Sequence, residues 1–326
     1  MTPYRRNLLT VAVSVALLGA TAASAQDAAS FPNRPIKIVV PYPPGGSTDM
    51  LARLLGQKLS ERMGQPIVVE NKAGASGAIG AQMAAKSPAD GYTLFLGTST
   101  ALSVNPHLNK SLPYDANRDF APIVLATLLP SLVVVNNAVP VKSMPELGAL
   151  LKTGPDKPYA SSGNGTPAHL GAEVYKSMTN ARMTHVPYKG GVPALTDLMG
   201  GQVNLMFAIL PEVLPLVKDG KLRALAVTTA ERNPLFPDLP TVAETVPGYE
   251  LVGWYAFLAP AATPKPVLAK LNREFNAALQ DKEVRDKLTA QGFVLAGGPP
   301  EKLSDMMKIE SMKWKQVIEE RNITSN

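Results

Sequence analysis

Residues 41–49 read P-Y-P-P-G-G-S-T-D and stand between the apolar run I-K-I-V-V at 36–40 and an apolar-periodic stretch at 50–59. The apolar run predicts a buried strand, Pro44 and Gly45 break it, and Ser47, Thr48 or Asp49 can cap the helix that follows. Strand, glycine loop and helix N-terminus in that order form a nest of backbone N–H groups at the positive end of a helix. An anion can sit there without a cationic side chain beside it. A single loop of this kind also reads as an ordinary capped turn; recurrence along the chain is what favours a ligand loop.

Working outward, a strand at 67–70 leads into N-K-A-G-A-S-G at 71–77 and a helix at 78–85, and a strand at 92–97 opens into Thr98, Ser99 and Thr100. Alternation with short connections predicts a parallel sheet covered by helices, with ligand loops beyond the carboxyl ends of the strands. Gly45, Gly46, Ser76, Gly77, Thr98 and Ser99 then share one rim. A second unit begins near 126–131. Its strand at 158–161 enters S-S-G-N-G-T-P at 161–167, with Thr166 as N-cap and Pro167 at the first helical position. H-V-P-Y-K-G-G at 185–191 repeats the theme before a helix at 193–199. A buried run at 203–208, a helix opening at Leu210-Pro211-Glu212 and a strand at 222–228 follow. Beyond a proline-rich stretch at 233–248, residues 249–260 are extended, and helices at 264–279, 283–290 and 301–320 are expected to pack back on the first unit. Crossings near 126–131 and 248–254 would join two lobes, and two strands crossing together make a hinge for a closable cleft.

The 326 residues, 45% hydrophobic and 18% charged, suit two domains and exclude unfolded and fibrous classes. Arg5 and Arg6, an apolar segment at 8–20 and Ala23-Ser24-Ala25 form a secretory leader, residues 1–25, cleaved after Ala25. With no cysteine there is no disulfide, thiol nucleophile, sulfur metal site or lipid anchor, and the periplasm is the expected address. The formal charge of +6 is spread among acidic neighbours, as at 58–62 and 282–287, with no basic stripe interleaved with aromatics. Nucleic-acid binding is therefore not expected. His107, His169 and His185 have no metal-ligand spacing and no H-E-x-x-H occurs, so neither a metal nor a cofactor is expected.

None of the loops carries the Gly-Lys-Ser or Gly-Lys-Thr of a nucleotide P-loop, and the first has no G-x-G-x-x-G. Many N–H and hydroxyl donors with few cations suit a small carboxylate. It is expected between the Gly45-Gly46 and Ser76-Gly77 amides on one side and the Ser161 to Thr166 loop on the other. Asp49 either caps its own helix or holds water between itself and the ligand.

The mature chain resembles the TctC-like, or Bug-type, periplasmic solute receptors of tripartite tricarboxylate transporters over nearly all of residues 31–322. The resemblance rests on Y-P-P-G-G-S-T-D at 42–49, N-K-A-G-A-S-G-A-I-G at 71–80, G-N-G-T-P-A-H-L at 163–170, P-Y-K-G-G at 187–191, G-K-L-R-A-L-A-V-T at 220–228, and P-G-Y-E at 247–250 with Trp254 and A-P at 259–260. It implies an α/β fold of two Rossmann-like lobes, of the periplasmic binding protein type, with a cleft and two interlobe crossings: residues 26–127 with 250–326 as lobe 1, and 128–249 as lobe 2. It also implies no catalysis, a monomer, a small carboxylate ligand often held through water, and integral membrane transporter subunits as partners. The implied ligand residues are Tyr42, Gly45, Gly46, Ser47, Thr48, Asp49, Ser76, Thr98 and Ser99, facing Ser161, Asn164, Gly165, Thr166, His169, Lys189 and Ala208. The family commonly has Asp at the position of Ala208 and often at that of Asn204, so a carboxylate is missing from the second lobe's rim.

Two other readings stand beside this one: a solute sensor without a cognate transporter, and a secreted serine-type hydrolase using Ser161 or Ser162, His169 and Asp197, with His185 or His107 in place of His169. The absence of a G-x-S-x-G elbow argues against the hydrolase. His169 reads equally as a helix residue near a cap, Lys189 as a solvated charge, and Trp254 and Tyr255 as hinge or core aromatics.

Overall fold

The structure is a computed structural model describing residues 30–324; the expected leader at 1–25 lies outside the described residues. β1 (Ile36–Val40) feeds α1 (Ser47–Met63), β2 (Ile67–Asn71) feeds α2 (Ala78–Ala85), and β3 (Thr93–Thr98) feeds a π-helical turn at Thr100–Val104 continued by the short α3 (Asn105–Leu108). β1 pairs in parallel with both β2 and β3. α1 lays Leu51, Leu55 and Leu59 on this sheet at a spacing of four residues and ends at Gly64, whose φ of 68° is the left-handed geometry that glycine supplies freely.

β4 (Phe120–Asn136) is one 17-residue strand that serves both lobes. It is followed by α4 (Met144–Lys152), β5 (Lys157–Ser161), α5 (Pro167–Thr179), β6 (Met183–Pro187), α6 (Gly191–Met199), β7 (Leu205–Ile209), α7 (Leu210–Lys218) and β8 (Leu222–Val227). The chain returns through β9 (Val252–Pro260) and closes with α8 (Lys265–Gln280), α9 (Lys282–Ala290), β10 (Val294–Leu295) and α10 (Pro300–Glu320). The strands run β2-β1-β3-β9-β4-β7-β5-β6, with β8 and β10 also paired to β4. Up to Pro130, β4 pairs with β9; from Ser131 onward it pairs with β7 and β8. The first crossing is therefore an uninterrupted strand.

The second crossing lies between β8 and β9, and Thr228 joins the two. Its Oγ1 accepts from Ser131 N–H at 3.1 Å and donates to Leu251 O at 2.8 Å, while its backbone N–H donates to Ser131 O at 3.0 Å. Two apolar clusters cover the two faces of the first sheet and two more those of the second. Placement of α10 differs from expectation. Leu303 and Met307 join a first-lobe cluster, but Trp314 and Ile318 are buried among Val133, Tyr159 and Phe207 of the second lobe. A 21-residue helix is about 30 Å long, enough to span both lobes, and its apolar stripe runs the whole way.

Candidate functional site

A cavity lies between the lobes where helix N-termini converge: α1 from the first lobe and α5, α6 and α7 from the second, joined by the turn at Thr98, Ser99 and Thr100. It holds about 530 Å³ between wall atoms, open solvent included. Its lining contains no lysine, arginine or histidine and one acid, Glu212. Four helix ends supply partial positive charge in place of a cation.

Six residues read from the sequence line this cavity: Tyr42, Gly46, Thr48, Thr98, Ser99 and Thr166. Burial raises the pKa of the Tyr42 hydroxyl well above its usual range, against the opposing influence of Thr100 and Thr98. Thr166 stands at the N-cap of α5, yet its hydroxyl does not accept from that helix; it donates to Gly163 O at 2.6 Å, folding the glycine loop over the helix end.

Several expected ligand groups are engaged elsewhere. Gly45 N–H donates to Asp49 Oδ2 at 3.1 Å and Gly77 N–H to Gly74 O at 3.0 Å, so both amides are spent inside their own loops. Asp49 neither lines the cavity nor caps with its side chain at the N-cap position. Burial raises its pKa, but Arg53, the Gly45 amide and Asn71 hold it below the ordinary carboxylate value. Ser76 is outside the cavity lining and lies against Gly163, where an added Cβ would be 3.1 Å from Ser76 Oγ. Asn164 and Gly165 belong to the wall loop but not to the cavity lining; Gly165 O accepts from Thr100 Oγ1 across the cleft at 3.2 Å. Lys189 is exposed, and Ala208 is core, paired with Leu132 inside the second sheet.

The serine–histidine pair that does form is Ser161 with His185, Oγ to Nε2 at 2.6 Å. Ser161 is fully buried and outside the cavity lining, and Asp197 accepts instead from Tyr188 OH at 2.7 Å. His169 is buried, accepts from Gly165 N–H through Nδ1 at 3.0 Å, and stacks on His185 at 4.1 Å. Burial lowers the pKa of His169 to about 4 and that of His185 to about 3. Both rings are neutral parts of the loop's support, and the proposed hydrolytic set is not assembled.

Ser162, within the expected Ser161 to Thr166 wall, also lines the cavity, whereas the sequence reading missed Glu212, Tyr255, Thr100 and the α6 start at Gly191 and Val192 as ligand-wall residues. Ser47 donates to Glu212 Oε1 twice, from N–H at 3.1 Å and from Oγ at 2.9 Å, and Tyr255 OH lies 2.7 Å from Ser47 Oγ. With Ser47 donating to the acid, Tyr255 donates to Ser47. The amide at the head of α1, expected to meet a ligand, is thus held by the chain's own carboxyl from the opposite lobe. An acid in a helix's first turn is common enough that nothing in the sequence marked Glu212.

Residues 51–323 match the family described as the tripartite tricarboxylate transporter family receptor, TctC. Protein BugT of Bordetella pertussis is 38% identical over 318 residues, covering 97% of each chain. Among solved structures, R. palustris Rpa4515 with adipate shares 39% identity with a TM-score of 0.88, covering 90% of this chain and 99% of that one. MatC from Rhodopseudomonas palustris with bound malate shares 32% identity at a TM-score of 0.84, covering 88% and 100%.

Proposed function

We propose, from the fact that this chain belongs to the TctC family of tripartite tricarboxylate transporter receptors, that it is a solute receptor that binds a small carboxylate in the cleft and delivers it to membrane transporter subunits of the tripartite type. The observation that carries this reading is the convergence of helix N-termini and hydroxyls on a cavity with no cation in its lining. Related receptors hold adipate and malate, which supports the same chemical class for this chain. The receptor acts in the periplasm as a monomer without turnover; among the described residues no helix is long and apolar enough to cross a membrane. We assign Tyr42, Gly46, Thr48, Thr98, Ser99 and Thr166 to the ligand, with Thr100, Ser162, Gly191 and Glu212 added by the cavity wall.

Calorimetric titration with mono-, di- and tricarboxylates, each hit paired with its amide, tests the reading. An amide keeps the shape and loses the charge, so it should bind about 10- to 150-fold more weakly, or about 1.5 to 3 kcal/mol for one charge-assisted bond. Equal binding of acid and amide, or best binding of a neutral sugar, would refute it. Mass spectrometry of the bound acid after prolonged incubation should recover it unchanged.

A further inference from the structure

The carboxyl group of Glu212 is hydrogen-bonded unevenly. Oε1 accepts two bonds from Ser47, whereas Oε2 is shut off from solvent and has no hydrogen-bond partner among the described residues. A buried carboxylate needs donors at both of its oxygens; a carboxylic acid has a carbonyl oxygen that accepts and an O–H that must donate. The observed pattern is that of the acid, with the donor still to be used.

The surroundings agree. The titratable groups whose electrostatics touch Glu212 are hydroxyls, Tyr42 and Tyr255. Of the elements packed on α7, β4 and β7 carry no titratable residue. Arg223 of β8 is held by the carbonyls of Val139 and Val141, and Asp197 of α6 by Tyr188. In the adjoining loops and on α7 itself, Asp49 is paired with Arg53, while Lys189 and Lys218 are exposed. Among the described residues no cation is turned toward the carboxyl, and burial raises its pKa against the two bonds from Ser47. Glu212 also lines the cavity. An ionised Glu212 would repel the anion that the helix ends attract.

We propose that Glu212 is a carboxylic acid in the receptor and that, on ligand binding, its Oε2–H turns off the Gly191 backbone into the cavity and donates to the ligand's carboxylate, so that each acid bound brings one proton with it. The proton comes from bulk water and stays on Oε2; no covalent bond is made. This rests on the carboxylate reading above and adds a condition to it. In the open receptor the group meets water and ionises as an exposed carboxyl does, so at neutral pH closure on a carboxylate takes the proton up.

The test uses the mature receptor and the tightest-binding acid of the calorimetric panel, adipate and malate included. Titration in two buffers of different ionisation enthalpy should count about one proton taken up per acid bound at pH 7. Over the pH range in which one proton is taken up, Kd should rise about tenfold per pH unit, the slope for one linked proton. Glu212→Gln keeps a donor but cannot titrate, so its proton count should fall to zero and its Kd become independent of pH. An infrared difference spectrum of the wild type on binding should show a carboxylate band replaced by a protonated carboxyl band, which keeps the test decisive if the variant folds poorly. Acid binding without proton uptake, or uptake that persists in Glu212→Gln, overturns this inference and leaves the carboxylate reading standing. A panel in which no acid binds at any pH removes both.

Discussion

At position 191 there is no room for a side chain, because a Cβ there would lie 1.7 Å from Glu212 Oε2. Gly191→Ala should therefore fold, since a glutamate head group can swing away, but the carboxyl would leave its place and acid affinity should drop about tenfold or more, the value of one charge-assisted bond. Calorimetry on the variant, with circular dichroism to verify folding, checks this. The stacked pair His169 and His185 makes a different prediction. Their pKa values in the folded protein, about 4 and about 3, lie below the ordinary histidine value of about 6.5, so the unfolded chain binds more protons between these limits. Their contribution is present above about pH 6.5 and is lost as pH falls through the folded values, at about 1.4 kcal/mol per pH unit per proton. His185→Gln should flatten the pH dependence of urea stability below pH 6.5 by about one proton; an unchanged slope would mean the ring is already charged in the native state.

Among elements, the two crossings and α10 carry the connection between the lobes. Thr228 is fully buried and its hydroxyl serves both crossing strands. Thr228→Val keeps the volume but strands Ser131 N–H without its hydroxyl acceptor and Leu251 O without its side-chain donor, which should cost about 1 to 3 kcal/mol in chemical denaturation. Trp314 is 3% exposed on the half of α10 that packs into the second lobe, with its Nε1 donating to Glu310 at 2.8 Å. Trp314→Ala should cost about 3 to 5 kcal/mol, the range for emptying an aromatic site in a core. A loss below 1 kcal/mol would show that this half of the helix is not anchored as described.

Across the whole molecule, few hydrogen bonds join the cleft walls among the described residues, Ser47 with Glu212 and Thr100 with Gly165, beside close loop approaches of Ser76 to Gly163 and Pro43 to Gly190. Such a sparse set can part around crossings at Pro130–Ser131 and at Leu251, with α10 bending or sliding as it follows both lobes. We expect the receptor to compact when it binds an acid. X-ray scattering should show a smaller radius of gyration with ligand than without, and an unchanged radius despite measured binding would count against hinge closure.

The sequence by itself determined what depends on neighbours along the chain. Strand, glycine loop and helix follow each other within a few residues, so period, breaker and cap signals at 36–59, 67–85 and 158–167 define the elements, and their alternation defines an α/β sheet with glycine loops on its rim. Tertiary structure decided what depends on residues distant in sequence. Ser47 and Glu212 are 165 positions apart, Ser47 and Tyr255 208, and no local pattern encodes that the three share one hydrogen-bonded cluster. The same holds for loop donors such as the Gly45 amide. A glycine loop advertises N–H groups, but whether each faces a ligand or is consumed by a nearby carboxylate is fixed only when the side chains around it take their places, because a hydrogen bond depends on distance and direction in space and not on order in the chain.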